Sequence, residues 1–248
     1  MSLVSVIMPY YSKRSYVENS LKSVLNQSYK NLEVILINDD ENLETKKFLQ
    51  RISEKDIRIR LINNVKNLGA GKSRNKAIDV SNGEYIAFCD CDDLWKNTKL
   101  EKQLTFMKNS NLDFSFTAYE IINEKEDKVG YRKAKKIIEF ENLLKSCDIG
   151  LSTVIIKKKL LESKELRFAS LKTKEDYILW LKIAKKGTKL FGLNENLCYW
   201  RKVPNSLSSS TIQKIIDGYK VYRYYLDYSV LKSISHLFIL SVNFLLKK

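Results

Sequence analysis

The sequence predicts an α/β fold: a mostly parallel central sheet flanked by helices, with a helical tail at the C-terminal end. Three observations carry this. Short apolar runs alternate with segments of helical periodicity over the first hundred residues, each run ends in a polar or acidic cluster, and residues 211–248 hold one long helical pattern. The body, residues 1–210, is expected to divide into halves of about 1–98 and about 99–210, with 211–248 as an amphipathic tail.

The first run, residues 3–8, is expected to stop at Pro9, which lacks a backbone donor. Residues 15–27 then place Tyr16, Val17, Leu21, Val24 and Leu25 at helical spacing. A second run at 32–37 ends at Asn38-Asp39-Asp40, followed by a helix at about 42–52 and a third strand at about 57–62. A loop over 63–71 leads into a helix carrying Arg74, Ala77 and Ile78, and a fourth strand begins at Tyr85. Units of this length imply parallel strands joined by right-handed crossovers, whose ligands gather at the carboxyl ends of strands where the strand order reverses. Pro9, Tyr10, Tyr11, Asp39 and the cluster Asp90, Asp92 and Asp93 lie at such ends, so they are expected to share one crevice.

The fourth strand is the most informative stretch. In Gly83-Glu-Tyr-Ile-Ala-Phe-Cys-Asp-Cys-Asp-Asp-Leu-Trp95, an apolar run suited to burial on both faces ends abruptly in three carboxylates. Alternation along an extended chain puts Asp90 and Asp92 on one side, two hard oxygen ligands that suit Mg²⁺ or Mn²⁺ carrying a phosphate. The plainer alternative is an acidic strand-to-helix turn in which Asp93 or Asn97 caps the next helix. Duller roles are open elsewhere too: Tyr10 and Tyr11 covering the sheet edge, Asp39 as a cap, Asn67 and Gly69 as turn formers.

Beyond residue 98 the pattern loosens. A helix is expected at 100–107, a strand at 114–122, a charged hairpin or loop at 125–136, a strand at 152–156 and a short helix from Leu160. Glu175 and Asp176 then open a helix that carries Tyr177, Leu179, Trp180 and Ile183, where acids are favourable in the first turn without any chemistry.

Composition narrows the class. The chain of 248 residues is 44% apolar, enough for a sizeable core, and its two prolines and eight glycines leave no room for a flexible linker. Four cysteines without Cys-x-x-Cys spacing and a single histidine, His236, argue against zinc and for reduced, mostly buried thiols. No signal peptide is apparent in the first residues, and a cytoplasmic location is expected. The net charge of +15 points to nucleic acid, an anionic membrane surface or phosphorylated substrates. Dispersed lysines and arginines without a recognition motif speak against nucleic acid.

Val4-Ser-Val-Ile-Met-Pro-Tyr-Tyr11, Ser23-Val-Leu-Asn-Gln-Ser-Tyr29, Asn67-Leu-Gly69, Ser73-Arg-Asn75, the acidic stretch and Lys174-Glu-Asp-Tyr-Ile-Leu-Trp180 follow one another in the order and spacing of family 2 glycosyltransferases. The chain resembles that family, of the bacterial surface-polysaccharide type, over about its first 180 residues. The resemblance implies a GT-A fold, Rossmann-like in its sheet, and an inverting transferase that uses a nucleoside diphosphate sugar, expected to be UDP-linked, with Mn²⁺ or Mg²⁺. It implies donor-nucleotide contacts from Pro9, Tyr10, Tyr11, Asp39, Asn67, Gly69, Arg74, Asp90, Cys91 and Arg201, metal ligation by Asp92 with Asp90, and Asp176 as general base with Glu175 in support. The family more often has Thr or Asn in place of Tyr10 and Asp-Gly-Ser in place of Asp39-Asp40-Glu41. The stretch 198–208 resembles the loop that closes over the donor phosphates, offering Arg201, Lys202 and Ser206, although Val203 stands where many relatives carry a metal-binding His. A surface loop is the plainer alternative. Gly69-Ala-Gly-Lys-Ser73 lacks the leading glycine and spacing of a Walker motif. A catalytically silent scaffold of the same fold is the rival reading, but it has little reason to keep Asp90, Asp92, Asp93 and Asp176 together.

The tail carries Tyr219, Tyr222, Tyr224, Tyr225 and Tyr228 among basic residues, then an apolar stretch over 230–246. About 17 residues broken by polar side chains are marginal for crossing a bilayer and suit a helix lying in the interface of an anionic membrane. A lipid-linked saccharide is then the expected acceptor. The alternative is a helix packed on the body or against a second subunit in a homodimer.

Overall fold

The computed structural model describes residues 1–203 and 210–246. The N-terminal half runs β1 (Val4–Tyr10), α1 (Arg14–Leu25), β2 (Leu32–Asn38), α2 (Leu43–Ser53), β3 (Ile59–Asn63), α3 (Ala70–Val80), β4 (Tyr85–Phe88), β5 (Leu94–Trp95) and α4 (Lys99–Asn109). The second half contributes β6 (Phe114–Ile122), β7 (Lys128–Arg132), β8 (Ile137–Ile138), α5 (Phe140–Leu143), β9 (Ile155–Lys157), α6 (Glu175–Lys185) and β10 (Leu190–Arg201); α7 (Thr211–Lys220) and α8 (Val230–Leu245) follow. The two halves share one sheet in the order β3-β2-β1-β4-β9-β6-β10-β5, with β7 beside β6 and β8 beside β10.

Strands β3, β2, β1 and β4 are mutually parallel, as the alternating pattern predicts. Beyond β4 the sheet is mixed: β9 runs antiparallel to both β4 and β6, while β10 is parallel to β6. Both faces of the parallel part are covered, which is why its strands are nearly all apolar. Val4, Val6, Met8 and Tyr10 of β1 join Val17, Leu21 and Val24 of α1 in one core layer. Ile7, with Ile86 and Phe88 of β4, packs on the other side with Ala77 of α3 and Trp180 of α6.

Pro9 does not end β1. Ile7 O accepts from Cys89 N on the β4 side and Tyr10 O from Asp39 N on the β2 side, so alternation turns the proline nitrogen toward β4. The ladder to β4 stops at Ile7 and Phe88, and no donor is missed there. The capping expectation for Asp93 or Asn97 also fails: Thr98 is the N-cap of α4, with no side-chain cap bond.

The stretch expected as a phosphate-closing loop begins instead as strand, since Cys198–Arg201 are the last residues of β10, paired with β6. Ser206 lies outside the described residues. The tail is a helical hairpin rather than one helix: a π-helical turn (Val221–Tyr225) follows α7, and Asp227 in the left-handed region (φ 56°) precedes α8. It is also part of the body, because Val221, Tyr222, Leu226 and Leu240 are buried in the same core layer as Trp180. A Cβ at Gly218 would come within 2.8 Å of Leu237 Cδ1, so the missing side chain lets α7 and α8 approach. All four cysteines are free, three of them buried.

Candidate functional site

The strand order reverses between β1 and β4, and the chain leaves both strands at the same edge of the sheet. Tyr10, Asp39 and the acidic cluster therefore gather there, as expected. Their arrangement is set by a turn rather than by extended chain. Asp93 N donates to Asp90 O across 3.0 Å, which places Cys91 and Asp92 at the head of a tight turn. Alternation does not apply to a turn, and Asp90 and Asp92 are neighbours because the chain folds back on itself.

The three carboxylates have different surroundings. Asp90 Oδ1 accepts from Arg74 Nη2 at 2.7 Å. Asp92 Oδ2 lies 2.6 Å from Lys13 Nζ; burial, then the nearby charge of Asp90, pushes its pKa up, against the pull of Lys13. Asp93 is buried and its pKa lies well above the usual range, from burial and its two acidic neighbours. It accepts from Ser152 Oγ and from Arg201 N, so its role is to fasten β10 and the 3₁₀ turn Leu151–Thr153 to the acidic turn. Ser152 also accepts from Asp90 N, and its carbonyl from Trp95 Nε1. Sequence reasoning missed this serine, since one hydroxyl in an apolar run carries no signal of a partner 59 residues away. Cys91 is buried and presents its carbonyl to Ser20 Oγ rather than its thiol to the crevice.

Arg74, on the buried face of α3, joins this turn to the acid pair. Its Nη1 donates to Glu175 Oε1 at 2.7 Å while Nη2 holds Asp90, and its own pKa is raised by these two carboxylates although burial opposes them. Glu175 is pushed up to about 7, by burial first, partly offset by Arg74. Burial also raises Asp176, with Arg74 and Lys174 pulling it down and Asp90 pushing it up, so all these groups lie within one electrostatic neighbourhood. Asp176 Oδ1 accepts from Tyr177 N at 2.7 Å, in the first turn of α6. Beneath, Phe88 at the end of β4 meets Phe168 edge to face at 5.3 Å, and Trp180 meets Phe114 at 5.0 Å. These rings lock the strand and helix that carry the acids.

Asp39 organises the next loop. Its Oδ1 accepts from Asn64 Nδ2 and Leu68 N, and its Oδ2 from Gly69 N, each at 2.8 Å. A carboxylate offers about four acceptor positions, and these bonds fill three of them. Asn67 Nδ2 donates to Asp39 O, and Gly69 takes φ 82°, a conformation that suits glycine at the start of α3. Tyr10 is buried on the α1 side, which leaves Tyr11, 53% exposed, as the open ring at this strand end.

Arg201 departs most from expectation. Its guanidinium is buried beneath the acidic turn: Nε donates to Asp92 O, Nη2 to Glu126 Oε1, and Nη1 to the carbonyls of Asn123 and Glu124, with the ring of Tyr16 at 5.0 Å. It clamps the β6–β7 turn under Asp92 instead of presenting a free charge to a phosphate.

Among the described residues no three His, Cys, Asp or Glu side chains form a metal-binding cluster. The site nevertheless suits a cation. Lys13 already places a positive charge against Asp92, and the Asp90–Asp92 repulsion is relieved by any bound cation. Two carboxylates with phosphate oxygens and water completing the shell is a usual arrangement for Mg²⁺.

The description "Glycosyl transferase family 2" belongs to the family model that matches residues 5–164. A putative teichuronic acid biosynthesis glycosyltransferase, TuaG of Bacillus subtilis (strain 168), is 36% identical over 222 residues, 89% of this chain and 87% of that one. WfgD of Escherichia coli, a UDP-Glc:alpha-D-GlcNAc-diphosphoundecaprenol beta-1,3-glucosyltransferase, is 40% identical over 183 residues, 74% of this chain and 70% of that one. Among solved structures, S. aureus TarS 1-349 in complex with UDP-GlcNAc superposes with a TM-score of 0.73 at 21% identity, over 96% of this chain and 70% of that one.

Proposed function

The chain belongs to glycosyl transferase family 2 and is a glycosyltransferase of GT-A fold, and on that footing we propose that it moves a sugar, with inversion, from a UDP-linked donor to a hydroxyl of a lipid-linked saccharide in surface-polysaccharide synthesis. The observation that carries the reading is the Arg74 bridge, which joins the acidic turn to the Glu175–Asp176 pair within one buried network.

In this reading Asp92 and Asp90 are the residues that would hold Mn²⁺ or Mg²⁺ for the donor diphosphate. A bound divalent ion neutralises charge building on the leaving nucleotide. Tyr11 and the remaining acceptor position of Asp39 face the base; a carboxylate accepts the N3 proton of uracil and finds no such proton on cytosine. Lys13, 2.6 Å from Asp92 Oδ2, would give up that contact if a divalent ion were held there. Asp176 takes the proton of the acceptor hydroxyl as it attacks the anomeric carbon, because a sugar hydroxyl is a poor nucleophile until that proton is leaving. Burial raises the basicity of Asp176, which suits this task.

The acceptor and the tail fit together at a membrane. WfgD is named for a diphosphoundecaprenol-linked acceptor. Here Ile212, Ile215 and Ile216 of α7 and Leu231, Ile234 and Phe238 of α8 are 45–82% exposed, at spacings that form stripes. No helix among the described residues is long and apolar enough to cross a membrane. Apolar stripes on a strongly basic protein suit shallow binding to an anionic bilayer at the cytoplasmic face, which brings the crevice to its acceptor.

Isothermal titration with UDP, with and without Mn²⁺, tests the donor site. Metal-dependent UDP binding is expected. Tight, salt-sensitive RNA binding without any for UDP would contradict the reading.

A further inference from the structure

The segment that carries the acid pair meets the C-terminal helical hairpin on both sides of the pair, at Thr173 and at Tyr177. On the N-terminal side, Thr173 N and Thr173 Oγ1 both donate to Asp217 Oδ2 of α7, at 3.1 and 3.0 Å. The same oxygen accepts from Gln213 Nε2 at 2.9 Å, and Lys220 Nζ lies 3.5 Å from Asp217 Oδ1. On the C-terminal side, Tyr177 Oη donates to Leu143 O and Tyr222 Oη to Leu144 O, with the two hydroxyls packed 3.2 Å apart. Between these fastenings the chain passes through Lys174, held in the left-handed region at φ 67°, and only then reaches Glu175 and Asp176.

A non-glycine residue keeps that conformation only where its surroundings over-determine it. Thr173 supplies the constraint, since its backbone and side chain are gripped by one carboxylate that is 1% exposed. A buried carboxylate is stable only with its partners in place, and two of the donors to Asp217 belong to this one residue. The grip therefore fixes the backbone two residues before Glu175 and three before Asp176.

We propose that Asp217 is a positioning residue for the transfer step: by holding Thr173 it sets the left-handed turn at Lys174 and aims the Asp176 carboxylate, so that the C-terminal hairpin is part of the catalytic apparatus as well as a surface. This rests on the reading of Asp176 as general base. The hydrogen bonds and ion pair described for the Asp217 carboxylate go to Thr173, Gln213 and Lys220, none of them in the donor half, so loss of the grip is expected to act on the rate before it acts on donor binding.

The test compares Asp217→Asn, Thr173→Val, Thr173→Ser and Asp176→Asn in the full chain, reading kcat, donor KM, UDP affinity by titration and Tm. Misplacing a reacting group by about 1 Å costs on the order of 10²-fold in rate. Asp217→Asn and Thr173→Val are expected to lower kcat by about 10-fold to 10²-fold with donor KM and UDP affinity unchanged. Thr173→Ser, which keeps the hydroxyl, is expected to retain the rate. The double variant Asp217→Asn with Thr173→Val should be little worse than the slower single one, because both remove one shared contact. If Asp217→Asn does not fold, the Val and Ser pair at 173 decides the matter. Wild-type kcat in Thr173→Val beside a slow Asp176→Asn overturns the positioning role alone. A parallel fall of kcat, UDP affinity and Tm, with Ser no better than Val, overturns it in favour of a merely structural contact. Wild-type kcat in Asp176→Asn overturns the general-base reading and this proposal with it.

Discussion

Arg74 Nη1 lies 2.7 Å from Glu175 Oε1, a contact between residues 101 positions apart that ties the first half of the chain to the acid pair of the second. The same guanidinium holds Asp90. Lysine has one charged centre and cannot span both carboxylates in this planar fork. Arg74→Lys is expected to lower kcat by about 10²-fold with a modest loss of stability, and Arg74→Met to destabilise by about 3–5 kcal/mol because two acids lose a buried partner. Denaturant unfolding of the two variants beside their rates checks both parts.

Glu175 gives a pH signature. Its pKa in the folded protein is about 7 against 4.5 for the unfolded group, so between these values the folded state holds a proton that the unfolded state has released. Stability from this carboxyl is complete below pH 4.5 and is lost as pH rises toward and through 7. Glu175→Gln removes the titration. The stability of the wild type relative to Glu175→Gln is therefore expected to fall from pH 5 to pH 7.5; a flat difference across that window would contradict the shift.

Gly71 illustrates how a motif can mislead. Gly69-Ala-Gly-Lys-Ser73 looks like half of a phosphate loop, but a Cβ at Gly71 would meet Ala169 O at 2.3 Å and Glu175 Cβ at 3.5 Å. The glycine admits the segment that leads into the acid pair. Gly71→Ala is expected to lower both Tm and kcat, whereas Ala70→Ser, one position away, should leave Tm within a degree or two; thermal melts with initial rates check this.

The tail makes a separable claim. Leu231→Glu combined with Phe238→Glu removes two exposed apolar groups without touching the core. Co-sedimentation with anionic vesicles is expected to fall by about tenfold or more, and wild-type binding to fall with added salt. Transfer to a water-soluble acceptor analogue should be unchanged. Undiminished vesicle binding in the double variant would contradict membrane contact through this surface.

The parallel half of the fold is legible because local signals agree there: apolar runs, helical periodicity and polar strand ends all mark the same boundaries. Asn42 is an example, a cap whose side chain accepts from both Glu44 N and Thr45 N. Strand β10 is not legible, since Asn194, Glu195 and Asn196 interrupt its apolar pattern and its pairing with β6 shifts register around them. The tail misleads for a related reason: helical periodicity runs through 221–229, but the chain takes a π-helical turn and a left-handed Asp227 where Tyr222 is buried against Tyr177, a tertiary contact that local periodicity does not carry. At the site, the common strand-end edge of Asp39, Asp90 and Asp92 is legible from the alternating pattern, whereas Asp176 is reached only through the family resemblance. The occupations of Arg201 and Asp93 are not legible, because they depend on partners far along the chain.

The central claim is a division of labour between two sets of carboxylates, one for the donor and one for the acceptor proton. It is tested most directly by measuring kcat and UDP affinity in the presence of Mn²⁺ for Asp92→Asn and Asp176→Asn side by side. Asp92→Asn is expected to lose metal-dependent UDP binding along with turnover. Asp176→Asn is expected to bind UDP and Mn²⁺ as the wild type does while kcat falls by ~10²-fold or more. An Asp176→Asn protein that loses UDP-sugar affinity yet keeps its rate at saturation would contradict the account.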